Sequence, residues 1–407
     1  MKKMNSVELF TGAGGLAIGI SNAGFHHQAA IERDKNACLT IRSNQERGIQ
    51  AVADWPVFQA DVTQFNFTTL QVKGEIDLLA GGPPCQPFSQ GGKHQGWDDS
   101  RDLFPQFFRA VRELKPKAIL VENVKGLLRS SFSKYFEYII LQLTYPEILQ
   151  KPSEDWVDHL SRLERHHTVS HHDGLSYRVV FRNLNAADYG IPQKRNRVFI
   201  VGFRSDLGVD WSFPAPTHSQ ETMLWEQWVT GDYWERHQVP LSKRPEVPSK
   251  QCDRVYNLQS SLFPPLTKPW CTVRDAIGDL PVPDSKEGNS LVLNHVLRPG
   301  ARKYPGHTGS PLDEPAKTLK AGVHGVPGGE NMLAFPTGEV RYFTVREAAR
   351  LQTFPDEYFF PHCWTQTMRQ LGNAVPVAFA GVLASSIRTH LVKAIQCSRC
   401  LVESTLC

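Results

Sequence analysis

A thiol framed by prolines and glycines is the first place in this chain where side chains could do chemistry. In GGPPCQPFSQGG (81–92), Cys85 directly follows Pro83 and Pro84, with a glycine pair on either side. Proline fixes φ and glycine permits tight turns, so this loop is built to present the thiol in a defined position. A thiol so presented serves as a nucleophile when neighbours favour its thiolate and activate the electrophile. The plain alternative is a buried core cysteine, the common fate of a free thiol. Two segments offer partners. VENVKG (121–126) puts Glu122 at the end of a predicted strand, within reach of the thiol loop across a sheet. QKRNR (193–197) puts Arg195 and Arg197 just before another. Strand alternation predicts that both arginines point to one face, where they would stabilise a thiolate, a carboxylate or a phosphate.

A second group lies near the N-terminus. In FTGAGGLAIG, Gly12, Gly14 and Ala17 have the G-x-G-x-x-G/A spacing, and Glu32 stands 20 residues beyond Gly12. Glycines let backbone approach a ligand, and an acid ending the next strand can hold ribose hydroxyls. This pattern suits a dinucleotide, and equally S-adenosylmethionine, whose adenosine needs the ribose contact but no pyrophosphate cradle. Asp61 in QADVTQ could accept from an adenine amino group, or could simply be a solvated strand end.

The elements that must position these residues alternate. Strand signals at SVELF (6–10), HQAAIERD (27–34), DLLAGG (77–82), KAILVENV (117–124) and RNRVFIVGF (195–203) are interleaved with helical patterns at LAIGISNAGF, NACLTIRSNQ and FPQFFRAVREL. Strands alternating with helices predict an α/β fold with a doubly wound, Rossmann-like, mostly parallel sheet. Ligands bind such sheets at the carboxyl ends of the strands, where the glycine turns fall.

The 407 residues imply about two domains. Sixteen of the 28 prolines and five of the nine tryptophans fall within 206–340. That density of proline breaks helices and sheets, while the tryptophans indicate packing, so a smaller, irregular second domain is expected there. Residues 1–205 form the predicted first domain, with an insertion at about 145–175 around the amphipathic WVDHLSRLERHH. Residues 341–407 return to helical periodicity and are expected to complete that first domain. The 206–340 segment carries 13 basic and 16 acidic side chains, so the net +4 of the whole chain leaves +7 on the remainder.

No apolar run approaching the roughly 18–20 residues of a membrane helix is expected. Eight unevenly spaced cysteines do not form a secreted disulfide framework. A soluble, cytoplasmic protein follows. Cys397 and Cys400 lack a second pair for a zinc site, and His166, His167, His171 and His172 read as a solvated loop, so no metal is expected.

Taken in order, ELFTGAGGLAIG, GGPPCQPFSQGG, VENVKG, NAADYGIPQKRNRVFIVGF, REAARLQTFPDEY and QLGNAVPV resemble the motifs of the cytosine-5 DNA methyltransferase family. The resemblance covers about 6–205 and 341–385, and 206–340 falls where the family keeps its target-recognition domain. It implies an S-adenosylmethionine-dependent methyltransferase fold and attack by Cys85 on carbon 6 of a flipped-out cytosine. Glu122 would contact ring nitrogen 3 and the exocyclic amine, with Arg195 and Arg197 beside the base. It implies S-adenosylmethionine held by Phe10, Gly12, Gly14, Glu32, Asp61, Pro83 and Leu103, closed by Asn373 and Val375. DNA contacts would fall to Gln90 and Lys93 in the loop after the nucleophile, and to Arg298 and Lys320. A stand-alone chain of this kind resembles a prokaryotic modification enzyme: a monomer acting on duplex DNA, sharing its site with a restriction endonuclease without a stable complex. The rival readings are an RNA-modifying relative, which carries a CFT tripeptide absent here, an NAD-dependent dehydrogenase, and a catalytically silent DNA-binding homologue.

Overall fold

The computed structural model describes residues 3–70, 74–84, 102–168, 174–283, 292–322 and 331–404. Its first compact unit comprises residues 1–184, 196–214 and 380–407, and its second comprises 185–195 and 215–379.

The first unit is organised by a seven-stranded sheet. Its strands are β1 (Met4–Leu9), β2 (Phe25–Glu32), β3 (Val57–Gln59), β4 (Leu78–Gly81), β5 (Ala118–Val124), β6 (Tyr177–Asn185) and, after the two-residue β7 (Gln193–Lys194) of the second unit, β8 (Asn196–Arg204). They lie in the order β3-β2-β1-β4-β5-β8-β6. The β1–β2, β1–β4, β2–β3 and β4–β5 pairs are parallel, and β5–β8 is antiparallel. Chain order reverses at β1, so the carboxyl ends of β1 and β4 flank the crevice where such sheets take ligands. The mostly parallel α/β fold is as expected; β3 and β6 are not among the strands expected from the sequence.

Helices α1 (Gly15–Asn22), α2 (Lys35–Glu46), α3 (Phe104–Leu114), α4 (Ser133–Thr144) and α5 (Trp156–His167) follow. Local chemistry starts them: Asp34 caps α2 by accepting from the Asn36 and Ala37 amides, and Asp155 caps α5 in the same way. Phe104, Phe107, Phe108 and Val111 line one face of α3 and enter a large apolar cluster with Val7, Leu9 and Ile119 of the sheet. Leu160 and Leu163 of α5 join that cluster, so this helix of the expected 145–175 insertion packs into the core.

The second unit has strands of two or three residues and short helices, in keeping with its prolines. Met223, Leu224 and Val255 form a small core against which Trp228 and Trp270 pack. Its extent differs from expectation, because residues 341–379 group with it and not with the sheet. The buried Arg346 supplies the physical reason. Its guanidinium donates to the carbonyls of Leu293, Pro355 and Tyr358, tying the helix Val345–Leu351 to the irregular segment before it. Among the described residues one helical run, Trp364–Cys397, is long and apolar enough to cross a membrane by length and composition, against the expectation of none. Half of its most apolar window is buried inside the fold.

Candidate active site

The turn after β1 is held from two sides. Phe10 lies at φ 59° and Gly12 and Gly14 at 57° and 90°. A bulky residue in the left-handed region costs about 1–3 kcal/mol and persists only where its surroundings impose it. Here the Thr11 amide donates to Ile31 O at 3.3 Å and the Gly14 amide to Thr11 O at 3.0 Å. The Glu32 carboxylate accepts from the Gly12 amide at 2.8 Å and the Asp34 amide at 2.7 Å. Two amides of the glycine turn are thus already engaged. A dinucleotide would need such amides for its pyrophosphate, whereas an uncharged ribose beside Glu32 does not. The donor set therefore fits a nucleoside better than a dinucleotide.

Asp61 lies just beyond β3, whose Gln59 pairs with Glu32. Its carboxylate accepts from the Thr63 amide and hydroxyl and pairs with Arg33 at 3.2 Å, and these contacts, the Thr63 amide foremost, hold its proton affinity below the usual carboxylate range. Pro83 and Leu103 flank the thiol loop. The Asn123 side chain donates to Pro83 O at 3.0 Å, and the Leu103 amide donates to Pro84 O at 3.3 Å. Asn123 was not singled out in the sequence, although it is the middle residue of the ENV triplet that drew attention to Glu122. Cys85, Gln90 and Lys93 lie outside the described residues.

Glu122 projects from β5 toward the start of that loop, and a Cβ on Gly82 would meet its Oε2 at 3.2 Å. Its Oε1 pairs with Arg197 Nε at 2.8 Å, with 11% and 15% of the two side chains exposed. The geometry is a diagonal cross-strand pair, since Arg197 stands opposite Val124 and Phe199 opposite Glu122.

Arg195 departs from expectation. β7 ends at Lys194 and β8 begins at Asn196, so strand alternation does not carry across it and the two arginines do not share a face. Arg195 is fully buried in the second unit and donates to Leu319 O at 3.2 Å and Gly372 O at 2.9 Å. It is a positioning group and not one aimed at a substrate. Gln193, which the sequence reading passed over, assists from two residues away. Its side-chain Oε1 accepts from the Leu319 amide at 3.0 Å, and its Nε2 donates to Leu351 O and Gln352 Oε1, each at 3.2 Å.

The QxR pair thus anchors the chain that enters the glycine-rich segment 320–331. Gly372 is required there: a Cβ would lie 2.3 Å from the Ala321 amide nitrogen. Asn331 closes the other end, accepting from the Lys320 amide at 3.0 Å and donating to Lys320 O at 2.9 Å. No pattern in the sequence marked Asn331. Lys320 and Arg298 are exposed, the latter 5.9 Å from the Trp364 ring centroid. Asn373 is exposed and Val375 buried, both just beyond Gly372 in the second unit. Among the described residues no group of acids, histidines and cysteines could hold a metal. His166 packs on Tyr145, and the Tyr145 hydroxyl meets His167 Nδ1 at 2.8 Å.

The chain matches the family described as C-5 cytosine-specific DNA methylase over residues 4–145 and 155–389. It is 33% identical to the type II methyltransferase M.PspPI of Psychrobacter sp. (strain TA137), over 94% of this chain and 78% of that one. It is also 33% identical to the type II methyltransferase M.Eco47II of Escherichia coli, over 95% and 79% of the two chains. In fold it resembles the crystal structure of the S. pombe Dnmt2 methyltransferase, with a TM-score of 0.54, 16% identity, and coverage of 95% of this chain and 99% of the other.

Proposed function

The chain belongs to the C-5 cytosine-specific DNA methylase family, and from that membership we propose that it methylates carbon 5 of a cytosine flipped out of duplex DNA, using S-adenosylmethionine and covalent catalysis by Cys85. The observation that carries this reading is the Glu122–Arg197 pair, a buried carboxylate held by a cation beside the first residues of the thiol loop.

The chemistry explains why these groups are needed. Carbon 5 of cytosine is a poor nucleophile, so Cys85 adds to carbon 6 and turns carbon 5 into an enamine-like carbon able to accept a methyl group. S-adenosylmethionine supplies that methyl on an electrophilic sulfonium centre. Glu122 meets ring nitrogen 3 and the exocyclic amine, where charge changes during thiolate addition, and Arg197 keeps the carboxylate oriented for that contact. Loss of the carbon-5 proton then expels the thiolate. Glu32 would hold the ribose hydroxyls, Asp61 the adenine amine, and Phe10 would stack on the adenine ring, with Gly12, Gly14, Pro83 and Leu103 around the rest. Unstacking the target base costs about a few kcal/mol, repaid by contacts that include the second unit, where Lys320 and Arg298 are exposed cations suited to phosphates.

The relatives' designation as type II methyltransferases supports a modification enzyme that protects DNA from a restriction endonuclease cutting the same site, and we infer that it acts as a monomer. Incubation with tritiated S-adenosylmethionine and either duplex DNA or tRNA tests the substrate: label should enter DNA, and label on tRNA alone would overturn the reading. Cys85→Ala should abolish transfer while DNA binding persists. Turnover near that of the wild type would refute covalent catalysis by this thiol.

A further inference from the structure

Helix α3 starts at the cofactor crevice without a side-chain cap of its own. Leu103 occupies its N-cap position, and an apolar side chain offers no acceptor to the amides of the first turn. The residue before it does. Asp102 Oδ1 accepts from the Phe104 amide at 3.1 Å, and Asp102 Oδ2 accepts from the hydroxyl of Tyr135 on α4. Between them, the Leu103 amide donates to Pro84 O at 3.3 Å, while Pro83 O takes the Asn123 side chain at 3.0 Å. Pro84, the residue before Cys85, is thus held beside the start of α3. Phe104 enters the large apolar cluster, and Leu103 and Phe10 both pack against it.

Tyr135 is itself braced. Its side chain is 6% exposed and belongs to the same cluster. The ring stacks on Tyr138 of α4 at 6.0 Å between centroids and 28° between planes, and meets Trp156 of α5 in a T-shaped contact at 5.8 Å and 80°. Trp156 makes a second T-shaped contact with Tyr138 at 5.9 Å. Aromatic contacts of this geometry stabilise beyond their buried area, and they fix the direction in which the Tyr135 hydroxyl points. Trp156 is the first residue of α5, the helix of the 145–175 insertion, to which the chemistry above assigns no part.

We propose that Tyr135 and Asp102 are positioning residues for the cofactor pocket: Tyr135, braced by Trp156 of the inserted helix, holds Asp102, and Asp102 sets the start of α3 so that Leu103 stands against Pro84. The insertion acts on the pocket through these two intervening side chains. The proposal rests on the reading of this crevice as the S-adenosylmethionine site. Both oxygens of Asp102 are used, one on backbone and one on a side chain, so loss of the Tyr135 hydroxyl leaves the Phe104 bond and removes what aligns it.

The test compares S-adenosylhomocysteine binding by calorimetry, steady-state kinetics, the thermal midpoint without ligand, and affinity for duplex DNA without cofactor. Tyr135→Phe deletes one hydroxyl and keeps the ring against Tyr138 and Trp156. It should bind S-adenosylhomocysteine roughly three- to tenfold more weakly, the worth of one hydrogen bond. KM for S-adenosylmethionine should rise with kcat little changed, and DNA affinity should match that of the wild type. Asp102→Asn keeps an oxygen for the Phe104 amide and an NH2 that can donate to the Tyr135 oxygen, so it should bind within about twofold of wild type. Asp102→Ala has neither group and should lose at least as much as Tyr135→Phe, with no further loss when the two are combined. Trp156→Leu should also weaken binding, and add little in the Tyr135→Phe background.

A lowered thermal midpoint in Tyr135→Phe with unaltered affinity would show a merely structural role and overturn the proposal, as would an equal loss of DNA affinity. Fully additive losses for Trp156→Leu and Tyr135→Phe would overturn the part given to α5. Should Asp102→Ala or Trp156→Leu fail to fold, Tyr135→Phe against Asp102→Asn still decides, and equal affinities there overturn the proposal. Failure of the wild type to bind S-adenosylhomocysteine would overturn the cofactor reading itself, and this proposal with it.

Discussion

Replacing Arg197 by methionine removes the cation and keeps most of the apolar stem, leaving Glu122 in a site where only 11% of its side chain meets water. At an effective dielectric constant of about 20, unit charges about 4 Å apart attract by roughly 4 kcal/mol. Desolvation offsets much of that for any buried pair, but removal of one partner alone leaves the other charge uncompensated at a cost of about 3–5 kcal/mol. Arg197→Met should therefore destabilise the strands around it by about 3 kcal/mol. Glu122→Gln should cost less, because a neutral amide can still accept from the guanidinium. The double substitution should cost less than the sum of the singles, with a coupling of about 1–3 kcal/mol. Native-state amide exchange of peptides spanning β5 and β8 reads this locally, which matters in a chain whose two units need not unfold together. A coupling below about 0.5 kcal/mol, the value of an exposed ion pair, would refute the claim that Arg197 holds Glu122 in place.

Two further outcomes follow from single side chains. Burial pushes the proton affinity of His27 down, to a pKa of about 4 from 6.5. The fold favours the neutral ring, so its contribution is complete above pH 6.5 and is lost as pH falls from there toward 4. The loss should reach about 2 kcal/mol at pH 5. Urea unfolding at pH 7.5 and pH 5 should show it in the wild type and lose most of it in His27→Gln; an unchanged pH slope in the variant would assign the acid sensitivity elsewhere. Gly372→Ala drives a methyl group to 2.3 Å from the Ala321 nitrogen and 2.5 Å from the Lys320 carbonyl carbon, which are backbone atoms that cannot rotate away. It should cost about 1–3 kcal/mol and weaken DNA binding while S-adenosylhomocysteine still binds. Wild-type DNA affinity would show that the anchoring of segment 320–331 does not matter for recognition.

Much of the first unit was legible in the chain because its signals are local. Alternating apolar runs and amphipathic segments announce β1, α1, β2, α2, β4, α3 and β5 in turn, and Gly14 and Asp34 sit where backbone geometry and capping demand them. The second unit resisted such reading. Its strands of two or three residues carry no periodicity, and Arg346 acts on carbonyls at Leu293, Pro355 and Tyr358, the first of them more than 50 residues away in the chain. No local pattern assigns a helix to one unit when an anchoring hydrogen bond is that distant, and 341–379, expected with the first domain, groups with the second unit.

The residue types alone determined the family of chemistry: a thiol between prolines, an acid on the next strand, an arginine just before another, and a glycine turn with Glu32 twenty residues on. Tertiary structure decided which of the described ones are buried against backbone and which pair with another side chain. Arg195 and Arg197 are two residues apart, yet one is buried against the carbonyls of Leu319 and Gly372 while the other pairs with Glu122. Glu8 and Glu32 are both acids on adjacent strands, yet one is buried mid-sheet between Ala30 and Ala80 and the other takes the Gly12 amide from the strand end. An arginine or a glutamate carries the same hydrogen-bonding groups wherever it stands. Its role depends on burial and on the partners brought to it by strand order, and those arise only when distant segments meet.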